Sequence, residues 1–211
     1  MELRTRTDKI RQILRRLYPE AKTPLYHETP FQLLVATILS AQCTDRQVNR
    51  VSAVLFEDLK TPADFAGAPL KTIEKYIHST GFYHNKAKNI KNCSQEILDT
   101  HGGRVPQTMA ELVKLPGVGR KTANVVLGAA FDTPGMVVDT HVARISRRLG
   151  LTSNKDPVKI EFDLMKIVPQ RAWNDFSLQL IFFGRETCAA RNPKCPACPI
   201  AKLCPWPEKT D

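Results

Sequence analysis

The chain has 211 residues, with 31 lysines and arginines against 21 aspartates and glutamates, so its formal net charge is +10 at pH 7. This length can bury a real core in one domain or two small ones, and the charge suits either an anionic partner such as nucleic acid or a merely basic soluble protein. Its apolar runs are shorter than the ~18 residues of a membrane-spanning helix, and its first residues lack the apolar stretch of a secretory signal, so we expect neither a membrane protein nor an exported one.

Helical spacing of apolar residues recurs along the chain, and the alternation typical of strands is scarce. The sequence therefore predicts an all-α fold of about ten helices joined by short links. Threonine–proline pairs, aspartates and similar signals mark the helix starts. In chain order these predicted starts are Thr7 or Asp8, Pro30, Asp45, Thr61–Pro62, Ala68–Pro69, Asn85, Thr108, Thr140, Pro157 and Trp173.

A turn rich in proline and glycine, Pro116–Gly119, separates two predicted helices. The first begins at Thr108, where Thr-Met-Ala-Glu has the form of a capping box, and ends at Leu115. Gly117 and Gly119 are both expected to adopt backbone angles that bulkier residues resist. The stretch from about residue 108 to 130 therefore predicts a helix-hairpin-helix.

Lys121 lies in the first turn of the second of these helices. Glycines just before a helix leave its first N–H groups open to an anion such as phosphate. A turn signal at Asp132–Gly135 and the apolar segment Met136–Val138 then lead to Asp139, at the start of another helix. A lone glycine turn is more often an ordinary connection with a solvated lysine beside it, but here a lysine and an aspartate accompany the turn.

The stretch LPGVGRKTANVVL followed by VDTHVARISRRLG resembles the endonuclease III family of DNA glycosylase/lyases. The resemblance implies that Lys121 is a covalent nucleophile and that Asp139 is its partner in removing oxidised pyrimidines from DNA. The lysine would attack the sugar as a neutral amine, form a Schiff base and cut the abasic site by β-elimination. Arg120 and the positive end of the helix both favour the neutral amine.

The same resemblance implies two helical domains with a cleft between them. Residues 23–133 would form a six-helix module that contains the hairpin, and residues 1–22 with 134–211 would form a second domain that holds an iron–sulfur cluster. Lys121 and Asp139 would then come from opposite sides of the cleft.

A glycosylase must extrude the target nucleotide and fill the gap that it leaves. By resemblance, Gln42 fills this gap, and Phe82 stands where the family usually carries a leucine wedge. The structural alternative for Gln42 is a polar residue at a helix end, and the alternative for Phe82 is an aromatic residue of the core. Further expected DNA contacts, for which solvated charges or a structural histidine are alternatives, are Asn85, Lys86, Lys88, Gly117, Gly119, Arg120, Thr122 and His141.

Four of the six cysteines are crowded near the C-terminus with the spacing C-x6-C-x2-C-x5-C, namely Cys188, Cys195, Cys198 and Cys204. Spacing alone fits a zinc ion or a [4Fe–4S] cluster, and the resemblance favours the cluster. Either metal site indicates a reducing compartment, so we expect a cytoplasmic protein. Cys43 and Cys93 lie among helical residues and are expected to be small core side chains.

Three functions are compatible with these patterns. The first is a bifunctional glycosylase and lyase, monomeric and acting on double-stranded DNA with damaged bases or abasic sites. The second is a monofunctional glycosylase for mismatched bases, which Lys121 disfavours because such relatives usually lack the hairpin lysine. The third is a DNA-binding module without catalysis, in which Asp139 and the cysteines would have no catalytic purpose.

Overall fold

The computed structural model describes residues 2–209, and all regular secondary structure in this range is helical. The predicted all-α fold is thereby confirmed. Eleven α-helices lie within the described range: α1 Leu3–Leu17, α2 Pro30–Leu39, α3 Asp45–Asp58, α4 Pro62–Gly67, α5 Leu70–Ile77, α6 Tyr83–His101, α7 Met109–Leu112, α8 Arg120–Phe131, α9 Thr140–Arg148, α10 Pro157–Ile167 and α11 Trp173–Glu186. None of these helices is long and apolar enough to cross a membrane.

The chain divides into two compact units. One is the continuous segment Pro24–Thr133, with α2 to α8. Its centre is α2, whose sequence PFQLLVATIL is apolar on all sides, and every residue from Phe31 to Leu39 is buried. A helix that is apolar all round must be enclosed by others, and α3, α6 and α8 pack against it. The hairpin helix α8 is thus seated on the core of its unit.

The other unit combines the chain before Pro24 with the chain after Thr133. Its core is formed by α1, α9, α10 and α11, with the fully buried side chains of Ile10, Ile145, Leu164 and Leu180 among its members. Helix α11 packs against both α1 and α9. The N-terminal helix is therefore part of the same core as the C-terminal helices.

Some helix starts differ from the predicted ones, among them α6, which begins at Tyr83 and not at about Asn85. Helix α1 begins at Leu3, whereas the sequence predicted Thr7 or Asp8. Thr7 is buried inside the helix and its hydroxyl donates to the Leu3 carbonyl at 2.8 Å, a bond available to a threonine in mid-helix as well as at a cap. Asp45 is the first residue of α3, and Thr44 before it supplies the cap.

Candidate functional site

The first hairpin helix is shorter than predicted, because α7 ends at Leu112 and not at Leu115. Thr108 caps its start by accepting from the Glu111 N–H at 3.3 Å, and its hydroxyl donates to the Glu111 carboxylate at 2.5 Å. The chain then continues as tight turns, in which Val118 N–H bonds the Leu115 carbonyl at 3.1 Å. The hairpin is a compact turn between a one-turn helix and α8.

Gly117 is the position in this turn that requires glycine. Its φ is +78°, in the left-handed region, and a Cβ placed there would lie 2.8 Å from the Cβ of Asn89. Left-handed backbone costs other residues about 1–2 kcal/mol, and the clash with α6 adds to that cost. Gly117 therefore fixes the path of the hairpin against α6.

Gly119 differs from the prediction. Its φ is −95°, a conformation open to any residue, and a Cβ there would meet nothing within 4 Å. It occupies the cap position of α8 without a side chain to bond the helix N–H groups, and it is exposed. Glycine at this position leaves the positive end of α8 uncovered, which suits close approach of an anion.

Lys121 is the second residue of α8, in its first turn, and its side chain is exposed. Arg120 and Thr122 flank it and are half-buried. The structure thus places the predicted nucleophile and two predicted DNA contacts together, directly after the open end of the helix. The long side chain of Lys121, exposed in the first turn of a rigid helix, can therefore bring its amine to a ligand bound at that helix end.

Asp139 is positioned by the extended segment before it. Met136, Val137 and Val138 are buried, and the Val137 N–H donates to the Ser177 hydroxyl at 3.0 Å. Asp139 itself is half-buried and caps α9, its Oδ1 accepting from the Val142 N–H at 2.8 Å. Its position at the start of a helix is as predicted, and the cap fixes one oxygen of its carboxylate.

His141 lies beside Asp139 in a crowded contact between α9 and α11. A Cβ at Gly184 would come within 2.9 Å of its Nδ1, and the guanidinium of Arg144 is 3.2 Å from the same nitrogen. Burial lowers the pKa of His141, as do the charges of Arg144 and Arg185, against the opposing effect of Asp139. His141 therefore packs between two helices, which agrees with the structural alternative, and its contact with DNA stays a prediction.

Gln42 and Phe82 lie on two exposed turns of the other unit. Both have left-handed backbones, with φ of +52° and +49°. Phe82 is 64% exposed, so the alternative of a core aromatic is wrong. An exposed phenylalanine on a tight turn directly before α6 is suited to insert its side chain into a bound ligand.

Of the three residues expected to flank a phosphate at the start of α6, Asn85 and Lys88 are exposed. The phosphate contact predicted for Lys86 is wrong for this structure, because its side chain is 5% exposed. Its ammonium donates to the carbonyls of Leu39 and Thr80, each at 2.8 Å. Sequence periodicity had given no sign of these distant partners.

The four C-terminal cysteines line one small cavity, together with apolar side chains of Phe183, Ile200 and others. All four are half-buried and none is in a disulfide. Burial raises the pKa of Cys198, and the other three thiols add to this effect, although a backbone hydrogen bond opposes it. Within residues 2–209 no group of three or more His, Cys, Asp or Glu side chains is arranged to hold a metal ion.

Arg148 is a functional candidate that the sequence analysis missed. Its guanidinium donates to the Cys188 sulfur at 3.3 Å and to the Ala189 carbonyl at 2.7 Å, and it lies 3.9 Å above the ring of Trp206. It therefore contacts both the start of the cysteine segment and the residue two positions after its last cysteine. Arg144, one turn earlier on α9, bonds the Cys188 carbonyl at 2.9 Å, and this four-residue spacing was the available signal.

Comparison with known proteins gives a consistent relationship over nearly the whole chain. Residues 35–170 match the family described as HhH-GPD superfamily base excision DNA repair protein. Endonuclease III of Synechocystis is 53% identical over 95% of this chain and 92% of its own length.

Two solved structures agree with this relationship. A non-covalent Endonuclease III–DNA complex and a trapped Endonuclease III–DNA covalent intermediate each superpose with a TM-score of 0.94 and 44% identity, covering 98% of this chain and 97% of theirs. The chain belongs to the endonuclease III family, within the HhH-GPD superfamily of base excision DNA repair proteins.

Proposed function

We propose that this protein removes oxidised pyrimidines from double-stranded DNA and cleaves the resulting abasic site through a Schiff base on Lys121. The observation that carries this proposal is the exposed lysine in the first turn of α8, directly after the uncapped Gly119. Support comes from the 44% identical relative whose structure is a trapped covalent DNA intermediate.

The chemistry begins with the neutral amine of Lys121. Its nitrogen forms a bond to C1′ of the sugar as the bond from C1′ to the base breaks, and the base leaves with a proton. Opening of the sugar ring gives a protonated imine. Loss of a proton from C2′ then expels the 3′ phosphate, which cuts the strand.

Asp139 assists the first of these steps. Breaking the glycosidic bond develops positive charge on the sugar, and a fixed carboxylate stabilises that transition state. Its capping bond to Val142 holds the group in one orientation before the substrate binds. The same carboxylate can accept a proton from the attacking amine, directly or through water.

DNA is held by the hairpin and by the two exposed turns. The open start of α8, with Gly117, Gly119, Arg120 and Thr122, binds a backbone phosphate through N–H groups and positive charge. Gln42 and Phe82 fill the space that the extruded nucleotide leaves, which offsets an unstacking cost of a few kcal/mol. His141 and Asn85 add polar contacts to the bound strand.

We further propose that Cys188, Cys195, Cys198 and Cys204 hold a [4Fe–4S] cluster. The donor set fits it: four free thiols share one cavity with apolar and basic side chains, and the guanidinium of Arg148 donates to one sulfur. Four cysteine thiolates can ligate a [4Fe–4S] cluster or a zinc ion, and the resemblance to the endonuclease III family favours the cluster. The cluster would serve as a structural anchor for the loop.

Metal analysis tests this cofactor directly. We expect about four iron atoms and four acid-labile sulfides per chain, the content of a [4Fe–4S] cluster. The Cys198→Ser variant should lose iron, whereas Cys43→Ser, which alters a half-buried cysteine outside the set, should keep it. Zinc without sulfide in the purified protein would contradict the cluster.

Borohydride trapping tests the catalytic proposal, since reduction converts a Schiff base to a stable amine. The protein should form a covalent complex with a duplex that carries an oxidised pyrimidine or a preformed abasic site. Lys121→Gln should abolish trapping and still bind DNA, whereas Lys71→Gln, at an exposed lysine of α5, should trap normally. Full trapping by Lys121→Gln would assign the nucleophile to another amine, and base release without trapping by the parent protein would favour a monofunctional glycosylase.

A further inference from the structure

Lys86 has an unusual environment for a lysine. Its side chain is 5% exposed, although lysine is almost never fully buried unless it is paired. The hydrogen bonds of its ammonium go to two carbonyl oxygens, of Leu39 and Thr80, at 2.8 Å each. Burial lowers the pKa of this group, with an opposing effect of nearby Cys43. Burying a lysine ammonium costs free energy, and this cost requires a compensating role for the side chain.

The two carbonyls belong to the ends of two separate helices. Leu39 is the last residue of α2, and Thr80 is the last residue of the 3₁₀ turn His78–Thr80. Terminal carbonyls lack partners within their own helix and carry its negative end. One ammonium therefore caps both ends, and because both oxygens lie 2.8 Å from the same nitrogen, they are within twice that distance of each other.

Each capped end leads directly into a strained, exposed residue. Gln42 follows Leu39 by three positions and Phe82 follows Thr80 by two, and both are left-handed. A non-glycine residue in this region is strained, and such strain persists only where the surroundings impose it. The pair of hydrogen bonds from the Lys86 ammonium is the structural element that these two turns share.

We propose that Lys86 is a positioning residue that holds Gln42 and Phe82 as one two-part wedge, which enters DNA as a unit when a nucleotide is extruded. This inference rests on the proposed function. It gives the buried lysine a role in base extrusion in place of the phosphate contact expected from its charge. Cys43, next to Gln42, is close enough to interact with the same ammonium.

Lys91 supplies a matched control on the same helix. Its ammonium also bonds carbonyls at a helix end, those of Ala66 and Ala68 at the end of α4. The chain after that end continues through Pro69 into α5 and carries no left-handed residue. A change at Lys91 therefore removes a similar pair of hydrogen bonds but leaves Gln42 and Phe82 in place.

The first measurement is the preference of each variant for a duplex with a tetrahydrofuran abasic analogue over an intact duplex, with 2-aminopurine opposite the analogue as a reporter of stacking. Lys86→Met, which keeps length without the charge, should lose this preference by about tenfold, within the range of coupled residues. Lys91→Met should keep the preference at a comparable loss of thermal stability. Equal losses in both variants would overturn the proposal, because a general loss of stability would then explain them.

The second measurement needs no change at Lys86. In the parent protein, the effects of Gln42→Ala and Phe82→Ala on the same preference should be non-additive by at least about threefold, as for residues that act together. Additive effects would show two independent contacts and overturn the single wedge. Neither measurement involves catalysis, so a failure of borohydride trapping would count against the proposed chemistry and leave this test readable.

Discussion

At the scale of single residues, Asp139 combines a structural and a proposed chemical role in one carboxylate. One oxygen caps α9 through the Val142 N–H at 2.8 Å. Replacing such a cap by alanine typically costs about 0.5–2 kcal/mol of stability, whereas asparagine caps as well as aspartate does. An asparagine variant therefore removes the charge while it keeps the helix start.

We expect Asp139→Asn to lose most activity on an intact base lesion and to retain more strand cleavage on a preformed abasic site. The abasic site has already lost its base, so Lys121 can form the Schiff base without a carboxylate to stabilise charge on the sugar. Both substrates should be compared in one sequence context under single turnover, so that product release does not hide the chemistry.

Asp139→Ala is the companion variant for this comparison. Its midpoint of thermal unfolding should fall below that of Asp139→Asn because only the alanine loses the cap. If Asp139→Asn reduced both activities by the same factor, the carboxylate would act mainly by activating the lysine. If neither activity fell, the catalytic carboxylate would lie elsewhere.

At the scale of elements, the two glycines of the hairpin have separate roles. Gly117 is required by its φ of +78° and by contact with Asn89, whereas Gly119 has an ordinary backbone and open space around it. The first glycine determines the fold of the turn. The second leaves room for a ligand at the start of α8.

This difference predicts opposite outcomes for two substitutions. Gly117→Ala should lower the free energy of unfolding by about 1–3 kcal/mol through left-handed strain and the clash with α6. Gly119→Ser should leave stability almost unchanged, since serine is a good cap, but it should weaken DNA binding because its side chain occupies the phosphate position. Denaturant unfolding and equilibrium binding of both variants check these expectations, and a destabilised Gly119→Ser with normal binding would contradict them.

Element starts were predicted best where local chemistry decides them. The start of α10 was predicted at Pro157 and found there, because Asp156 caps the helix and a proline occupies its first turn. The early end of α7 and the burial of Lys86 could not be predicted in this way. The partners of Lys86 are 47 and 6 residues away, and only tertiary structure brings those carbonyls to one nitrogen.

Prediction of the candidate site from the sequence has the same limit, because only features that depend on local sequence could be predicted. The positions of Lys121 and Asp139 at helix starts follow from glycine, capping and turn signals that are local in the sequence. The exposure of Phe82 was left open, since an aromatic residue between two helices fits a core as well as a surface. Its left-handed backbone, which turns it outward before α6, depends on the packing of α6 against the rest of the unit.

At the scale of the whole molecule, the formal charge of +10 is the feature that bears most on DNA binding. Basic side chains near the cysteine segment are exposed, which allows them to meet a phosphate backbone. They are Arg185, Arg191, Lys194 and Lys202. Exposed charges of this kind bind by displacing counterions, without reading the sequence of the DNA.

Affinity for an undamaged duplex should therefore fall steeply with salt, with a log–log slope of roughly −3 to −6. Titrations of a fluorescently labelled duplex over a series of salt concentrations measure this slope. Reversing one exposed charge, as in Lys194→Glu, should make the slope shallower. A flat response in the parent protein would mean that its positive surface does not face DNA.

Helix α9 gives the unit that contains it a mechanical property. It carries Asp139 at its start and Arg148 as its last residue, and a helix of this length spans about 14 Å. The guanidinium of Arg148 donates to the Cys188 sulfur and to the Ala189 and Ala190 carbonyls. The same helix thus connects the cysteine loop at one end with Asp139 at the other. In the proposed mechanism, where a misplacement of about 1 Å can lower a rate by about a hundredfold, a displacement of the cysteine loop along this helix would change the position of the carboxylate and with it the rate.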